Sequence, residues 1–345
     1  MQKTNNNIYT FNNSAIKAIV TTVGKKTIKI EDEIPSLKLN KSEIQKLKKT
    51  VGLRSRQIVD DNKTTVDLCE FSAKKILKHK KINPASISGI ILVTQTPDYS
   101  TPSSAIELSK RLKIPLNSLA FDVSLGCSGF VYGLFLAMTL INAGSKKIIL
   151  CVGDVASKFT NPSDKTLTPL MGDAGSAILI EKGNAKSYFD LYSDGSGQKA
   201  LFIPNSGIKF DHNEKKMPKY LKMNGGEVFN FTLKRIPSLI NSMLLKTNNS
   251  IKKIDYFVLH QPNLYLLSNL QKRLKIDEKK FPKKTVSKYG NQNSASIPGT
   301  INGYLNKMYS DKKIKSLFCG FGIGLSWGCC ITETSKIYSP KVFKI

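Results

Sequence analysis

FDVSLGCSGF, residues 121–130, continued by VYGLFLAMTLINA to residue 143, is the stretch from which the fold can be read. Ala120 to Val123 reads as a short buried strand, Gly126 lies in a turn, and an apolar helix begins at Cys127 or Ser128. The Cys127 thiol therefore stands at a helix N-terminus, where backbone N–H groups and the positive end of the helix dipole favour thiolate. A free cysteine in apolar surroundings is equally often a small hydrophobe. From these residues alone both readings of Cys127 stand, with Ser124, Gly126 and Ser128 on the side of chemistry.

Working outward, Ile90 to Val93 is a continuous apolar run, as expected of a strand covered on both faces, and 146–152 and 171–181 read the same way. Thr64 to His79 is an amphipathic helix with Val66, Leu68, Cys69, Phe71, Ala73, Ile76 and Leu77 on its apolar face, and Ser103 to Leu112 is a second. Toward the N-terminus, residues 1–14 are Asn-rich and read as frayed or as an added strand. Ala15 to Ile30 holds two β-like runs about Gly24 and its two lysines. Ser42 opens a helical stretch that stops near Thr50 and Gly52, and GLRSRQIV (52–59) reads as a loop with two close arginines.

On the other side, 223–245 is a long helix, 254–263 a buried strand with its loop, and LYLLSNLQKRL (264–274) a helix. Lys315 to Gly320 and Trp327 to Thr334 are closing strands. SISGIILVTQTPD (86–98) and SIKKIDYFVLHQPN (250–263) share one plan: an Ile-bearing lead, a buried strand, then a Gln and Pro turn. That similarity implies an α/β protein of two related βαβ halves side by side.

At 345 residues and 40% hydrophobic content, the chain can bury a sizeable core. The six cysteines show no CxxC and no metal-ligand spacing, so no metal is expected and a reducing compartment fits. The N-terminus carries no apolar signal region, and the longest apolar run, Gly129 to Ala143, is short of the roughly 20 residues a bilayer span needs. A cytoplasmic protein without a membrane partner is the expectation. The formal charge of +28 raises the question of nucleic acid. The lysines are spread along the whole chain with Asn and Ile, as a codon bias would spread them, so no nucleic-acid partner is expected. An acidic carrier protein or a phosphorylated cofactor suits the same field.

Three histidines make the search for a base short. His79 in KHKK and His212 in DHNEKK read as solvated. His260 ends the apolar strand YFVL, where α/β proteins place ligands. SKYGNQNSASIP (287–298) is either a donor-rich loop or a turn capped by Ser294 or Ser296. CGFGIGLSWG (319–328) is either a tight crossover or a set of exposed N–H groups able to form an oxyanion hole. Cys69, Cys151, Cys319, Cys329 and Cys330 read as inert.

Taken together, GLRSRQI, TPDYSTPSSA, FDVSLGCSGF, MGDAGSA, SDGSG, KMNGGEVF, VLHQPN, YGNQNSASIP and GFGIGLSWG resemble, in order, the motifs of the β-ketoacyl-[acyl carrier protein] synthase III family. The resemblance runs from about Ile16 to Ile331. It implies a thiolase-like fold of α-β-α-β-α layers, with halves 1–185 and 186–345, and a Cys, His and Asn triad at Cys127, His260 and Asn291. The implied reaction is a decarboxylating condensation of an acyl thioester with malonyl-[acyl carrier protein] through a Cys127 acyl-enzyme. The backbone N–H groups of Cys127 and Ile323 would form the oxyanion hole. An acyltransferase passing the Cys127 acyl group to an alcohol or amine is the alternative, and a non-enzymatic basic scaffold a third reading.

The resemblance further implies no permanently bound cofactor, with coenzyme A and phosphopantetheine thioesters as substrates held by Arg54, Lys165, Gly225 and Asn263. The family's adenine-stacking tryptophan falls near Lys46, which shifts the expected donor from acyl-CoA toward an acyl carrier protein. Lys272 and Arg273 match basic carrier-docking positions, while Tyr265 and Asn230 stand where the family often has cations. Phe321 and Thr101 are implied for the acyl pocket, Thr101 across the interface of a homodimer, where a small residue suits a primer longer than acetyl.

Overall fold

The computed structural model describes residues 8–204, 206–208 and 220–345; His212 lies outside the described residues. The chain opens with β1 (Tyr9–Phe11), β2 (Ser14–Val23) and β3 (Lys26–Lys29). Short helices α1 (Ile34–Leu37) and α2 (Lys41–Lys46) follow, and β4 (Ser55–Ile58) comes after Gly52, whose φ of 83° ends the helical turn. Then α3 (Thr65–His79), β5 (Gly89–Val93), α4 (Ser104–Arg111), β6 (Leu119–Val123), α5 (Gly129–Asn142), β7 (Lys147–Asp154) and β8 (Ala174–Lys182) alternate. Next come β9 (Ser187–Ser193), the pair β10 (Leu201–Phe202) and β11 (Lys222–Met223), α6 (Gly225–Lys246), β12 (Tyr256–Leu259) and α7 (Leu264–Leu274). The chain closes with α8 (Thr285–Tyr289), α9 (Ser296–Thr300), α10 (Asn306–Asp311), β13 (Lys313–Gly322), β14 (Ser326–Ser335) and β15 (Phe343–Lys344).

Two sheets form the frame. One runs β15-β2-β8-β7-β5-β6 and the other β1-β9-β14-β13-β12. Within them, β5-β7-β8-β2 and β12-β13-β14-β9 pass through the same series of one parallel and two antiparallel pairings. The shared plan read from the Gln and Pro turns is thus a repeat of strand order. Helices α3 and α4 cover the outer face of the first sheet, α6 and α7 cover the second, and α5 and α9 fill the space between. That makes five layers, α-β-α-β-α.

The apolar character of α5 follows from its place. Phe130, Val131, Leu134, Ala137, Met138 and Ile141 are buried between the two sheets, while Tyr132, Phe135, Leu136 and Leu140 are half-buried, so the helix is apolar well beyond its buried face. Ile90 to Val93 on β5 is likewise fully buried. The strand before the nucleophile turn differs from expectation: β6 is half-buried, because it is the edge of its sheet and only β5 pairs with it. Helix α5 begins at Gly129, so Ser128 is its N-cap residue and Cys127 lies in the turn before it. GLRSRQIV is not a loop, since Ser55 to Ile58 forms β4 against β3. Strands β2 and β3, consecutive across Gly24, therefore belong to different sheets. The Asn-rich start supplies an added strand at β1, which pairs with β9.

Candidate active site

The carboxyl ends of parallel strands from both sheets meet at one place, as expected where an α/β sheet binds ligands. From the first sheet come Thr94 and Gln95 after β5, the 124–127 turn after β6, and Asp154 at the end of β7. From the second comes His260 directly after β12, its N–H donating to Cys319 O at 2.9 Å. The 291–296 segment closes the pocket from below; Asn291 is held by a β-bridge to Met171 and by its N–H to Leu170 O at 2.7 Å.

Cys127 is buried, 6% exposed. Its thiol donates to Asn293 Oδ1 at 3.6 Å. Strand β13 runs directly past it: a side chain at Gly322 would put its Cβ 2.7 Å from Cys127 Cβ and 3.0 Å from Sγ, and one at Gly320 would lie 3.0 Å from Cys127 O. Only glycine allows this approach. The N–H groups of Cys127 and Ile323 both favour a negative sulfur. They are outweighed, because burial and the charge of Asp154 push the thiol up to about 12. The expectation of a resting thiolate is thereby corrected: the helix terminus acts in a pocket too dry for it to win.

His260 is 2% exposed, and burial pushes its ring down to about 3, so it is neutral. Its Nδ1 lies 2.8 Å from Ser296 Oγ, which in turn lies 2.7 Å from Asn293 O. The ring stands edge-on to Phe321 at 5.5 Å. Asn291 Oδ1 accepts the Asn293 N–H at 3.0 Å, which leaves its amide nitrogen as the free end. Asn293 thus touches the whole constellation: its N–H binds Asn291, its C=O binds Ser296 beside His260, and its side chain receives the Cys127 thiol. It adopts φ 45°, a left-handed conformation that Asn tolerates better than most residues.

Asn293 and Asp154 were not singled out from the sequence. The second Asn of NQN, and an acid ending the apolar run KIILCVG, were the available signals. Neither Ser294 nor Ser296 caps a helix; Ser294 Oγ donates to Asp154 at 3.4 Å and Ser296 serves His260.

The other expected residues are dispersed. Arg54 is exposed and lines a cavity of about 490 Å³ with Lys29, Lys48, Lys49, Glu31, Thr27 and Ser55. Lys165 is not in that cavity; it binds Glu43 Oε1 and Lys38 O, each at 3.1 Å. Asn263 spends its Oδ1 on capping α7 at Leu266 N, 2.8 Å, and Gly225 is the exposed first residue of α6. Lys272 and Arg273 are exposed in the last turn of α7, and Thr101 is exposed ahead of α4. All six cysteines are free and buried; burial pushes the thiols of Cys319, Cys329 and Cys330 up, and a hydrogen bond with Cys151, followed by burial, raises that of Cys69. His79, exposed, stacks on Tyr338 at 3.6 Å. Among the described residues no group of His, Cys, Asp and Glu could hold a metal ion, and no helix is long and apolar enough to cross a membrane.

Residues 121–195 match the family model of 3-oxoacyl-[acyl-carrier-protein (ACP)] synthase III, and residues 244–334 match that of its C-terminal part. A Campylobacter jejuni protein provisionally named a 3-oxoacyl-[acyl-carrier-protein] synthase 3 is 32% identical over 96% of this chain and 97% of its own length. The β-ketoacyl-[acyl-carrier-protein] synthase III of Clostridioides difficile is 34% identical over 82% of this chain and 87% of its own. Among solved structures, the 3-oxoacyl-(acyl-carrier protein) synthase of Burkholderia xenovorans superposes with a TM-score of 0.94 at 30% identity, over 98% of this chain and 99% of that one.

Proposed function

The chain belongs to the 3-oxoacyl-[acyl-carrier-protein] synthase III family, enzymes of the transferase class with a thiolase-like fold, and from that premise we propose that it condenses an acyl thioester with malonyl-[acyl carrier protein] through an acyl group carried on Cys127. The products are 3-oxoacyl-[acyl carrier protein], CO2 and a free thiol. The observation that carries this reading is the convergence of Cys127, His260 and Asn291 on the single residue Asn293 in one buried pocket.

In the first half-reaction the Cys127 sulfur attacks the thioester carbonyl, and the donor's carbon–sulfur bond breaks. The thiol's proton leaves with the departing thiol. The N–H groups of Cys127 and Ile323 favour negative charge at the sulfur, which supports a role for them as donors to the tetrahedral oxyanion. Such donors contribute about 3 kcal/mol each in comparable sites. In the second half-reaction the malonyl carboxylate departs as CO2 and its electron pair enters the thioester carbonyl as an enolate. The free amide nitrogen of Asn291 donates to that oxygen, and so does His260 Nε2 when the Ser296 hydroxyl points to Nδ1 instead of to Asn293 O. The enolate carbon then attacks the acyl carbonyl on Cys127. A carbon–carbon bond forms, the Cys127 thioester breaks, and the sulfur takes a proton from water.

The basic cavity at Arg54, Lys48, Lys49 and Lys29 suits the phosphates of coenzyme A or phosphopantetheine. Lys272 and Arg273, on a chain of charge +28, suit an acidic carrier protein. We take the chain as two related halves, 1–185 and 186–345, and the enzyme as a cytoplasmic homodimer joined along the open edge of β6. Release of CO2 from malonyl-[acyl carrier protein] tests the reading, together with the mass of the Cys127 adduct over a panel of acyl-CoAs and acyl-carrier proteins. Acylation without CO2 release would replace condensation by simple acyl transfer, and a mass shift on Cys127→Ala would remove the nucleophile assignment.

A further inference from the structure

The two half-reactions leave one buried acid without a role. Asp154 is fully buried at the end of β7. Its Oδ1 accepts from Gln95 N at 2.7 Å, Thr94 Oγ1 at 3.2 Å and Thr96 Oγ1 at 3.4 Å, and its Oδ2 accepts from Ser294 Oγ at 3.4 Å. No cation pairs with it in those contacts. Next to Ser294 stands Asn293, whose carboxamide lies close enough to favour the ionised form of Asp154. That amide's Nδ2 is buried without a hydrogen-bond partner, while its Oδ1 holds the Cys127 thiol.

We propose that Asp154 is a positioning residue for Cys127: acting across the Asn293 carboxamide, its carboxyl fixes the orientation of that amide and governs how readily the thiol gives up its proton. The proposal rests on the reading of Cys127 as the acyl-carrying nucleophile. A neutral carboxyl leaves the thiol facing dipoles only. A carboxylate sets one negative charge against another in a dry pocket and disfavours thiolate. Burial holds the carboxyl up at about 7, so the change falls in the working range of an enzyme. The titratable groups that face Asp154 are Cys127 before α5 and Cys69 on α3. On the loop after β5, Thr94, Gln95 and Thr96 are uncharged, while Asp98 further along it, its carboxyl pushed up by burial, is turned to Thr64. The 293–294 segment is uncharged, and Asp173, before β8, is turned to Ser157 and the Val59 N–H.

The test is the rate of iodoacetamide alkylation at Cys127, read by peptide mass from pH 5 to 9. In the native protein that rate rises about tenfold per pH unit up to about pH 7 and then flattens as Asp154 ionises. In Asp154→Asn it continues to rise, so the variant reacts about tenfold faster at pH 8 and at the native rate at pH 6. Parallel profiles for the two proteins, or an unbroken rise in the native protein through pH 9, overturn the proposal. The native profile decides alone where the variant does not fold. Alkylation uses no malonyl substrate, so a failure of the condensation reading shows in CO2 release and leaves this result standing.

Discussion

The Cys127 thiol donates to Asn293 Oδ1 at 3.6 Å, and the same asparagine binds Asn291 through its N–H. One residue therefore aligns the proposed nucleophile with a proposed enolate donor. Asn293→Asp keeps the size but sets a carboxylate against the sulfur beside Asp154. Acylation of Cys127 should slow by about 100-fold, the scale of loss when a reacting group is misplaced or its charge disfavoured. Intact mass after a short exposure to acyl-CoA measures it, and acylation at the native rate would refute the alignment role.

His260 is neutral wherever the enzyme is assayed, because burial pushes it down to about 3. The expected pH profile of CO2 release has no limb at the ordinary histidine value of about 6.5. A limb near 7 belongs instead to Asp154 and disappears in Asp154→Asn. His260→Ala should still form the acyl-enzyme and lose decarboxylation by about 100-fold or more. Loss of acylation in that variant would make His260 chiefly the partner of the thiol.

Gly322 abuts the nucleophile so closely that a Cβ added there would stand only 2.7 Å from Cys127 Cβ. Gly322→Ala must push β13 or the 124–127 turn aside, at a cost of about 1 to 3 kcal/mol. Thermal unfolding should fall by several degrees and acylation should drop with it. An unchanged melting temperature would show that the turn yields freely.

Asp154 is held above the ordinary carboxylate value, so the unfolded chain ionises it first as pH rises. The stability tied to its neutral form is complete below about pH 4 and is lost as pH climbs through 7. Asp154→Asn removes that loss, and should gain on the native protein by on the order of 3 kcal/mol between pH 4 and 8. Denaturant midpoints at the two pH values check this; a constant difference would mean that the carboxyl does not titrate there.

The layered fold was legible where burial leaves no choice. The unbroken apolar run of β5 says that both its faces are covered, and the twin Gln and Pro turns say that the strand order repeats. Strand β4 was not legible, because Ser55 to Ile58 is a four-residue segment with three consecutive polar residues, too short to show a strand period. Of the site, Cys127, His260 and Asn291 could be found as residues with chemistry at strand ends and turns. Asn293 could not, since its importance lies in a left-handed backbone that turns its N–H, its C=O and its side chain toward three partners, and no local pattern encodes that. The neutral thiol was hidden for a related reason: a helix terminus is visible in sequence, but the dryness of the pocket around it is a property of both sheets together.

Strand β6 has no partner on its outer side among the described residues, and only Ser124, Leu125 and Gly126 separate it from Cys127. That edge is a handle on the nucleophile. In the proposed homodimer that edge lies at the joint, so a peptide mimic that displaces the partner there need not enter the pocket to inhibit the enzyme: by shifting β6 it would drag the thiol away from Asn293, and its inhibition would be non-competitive with the acyl donor.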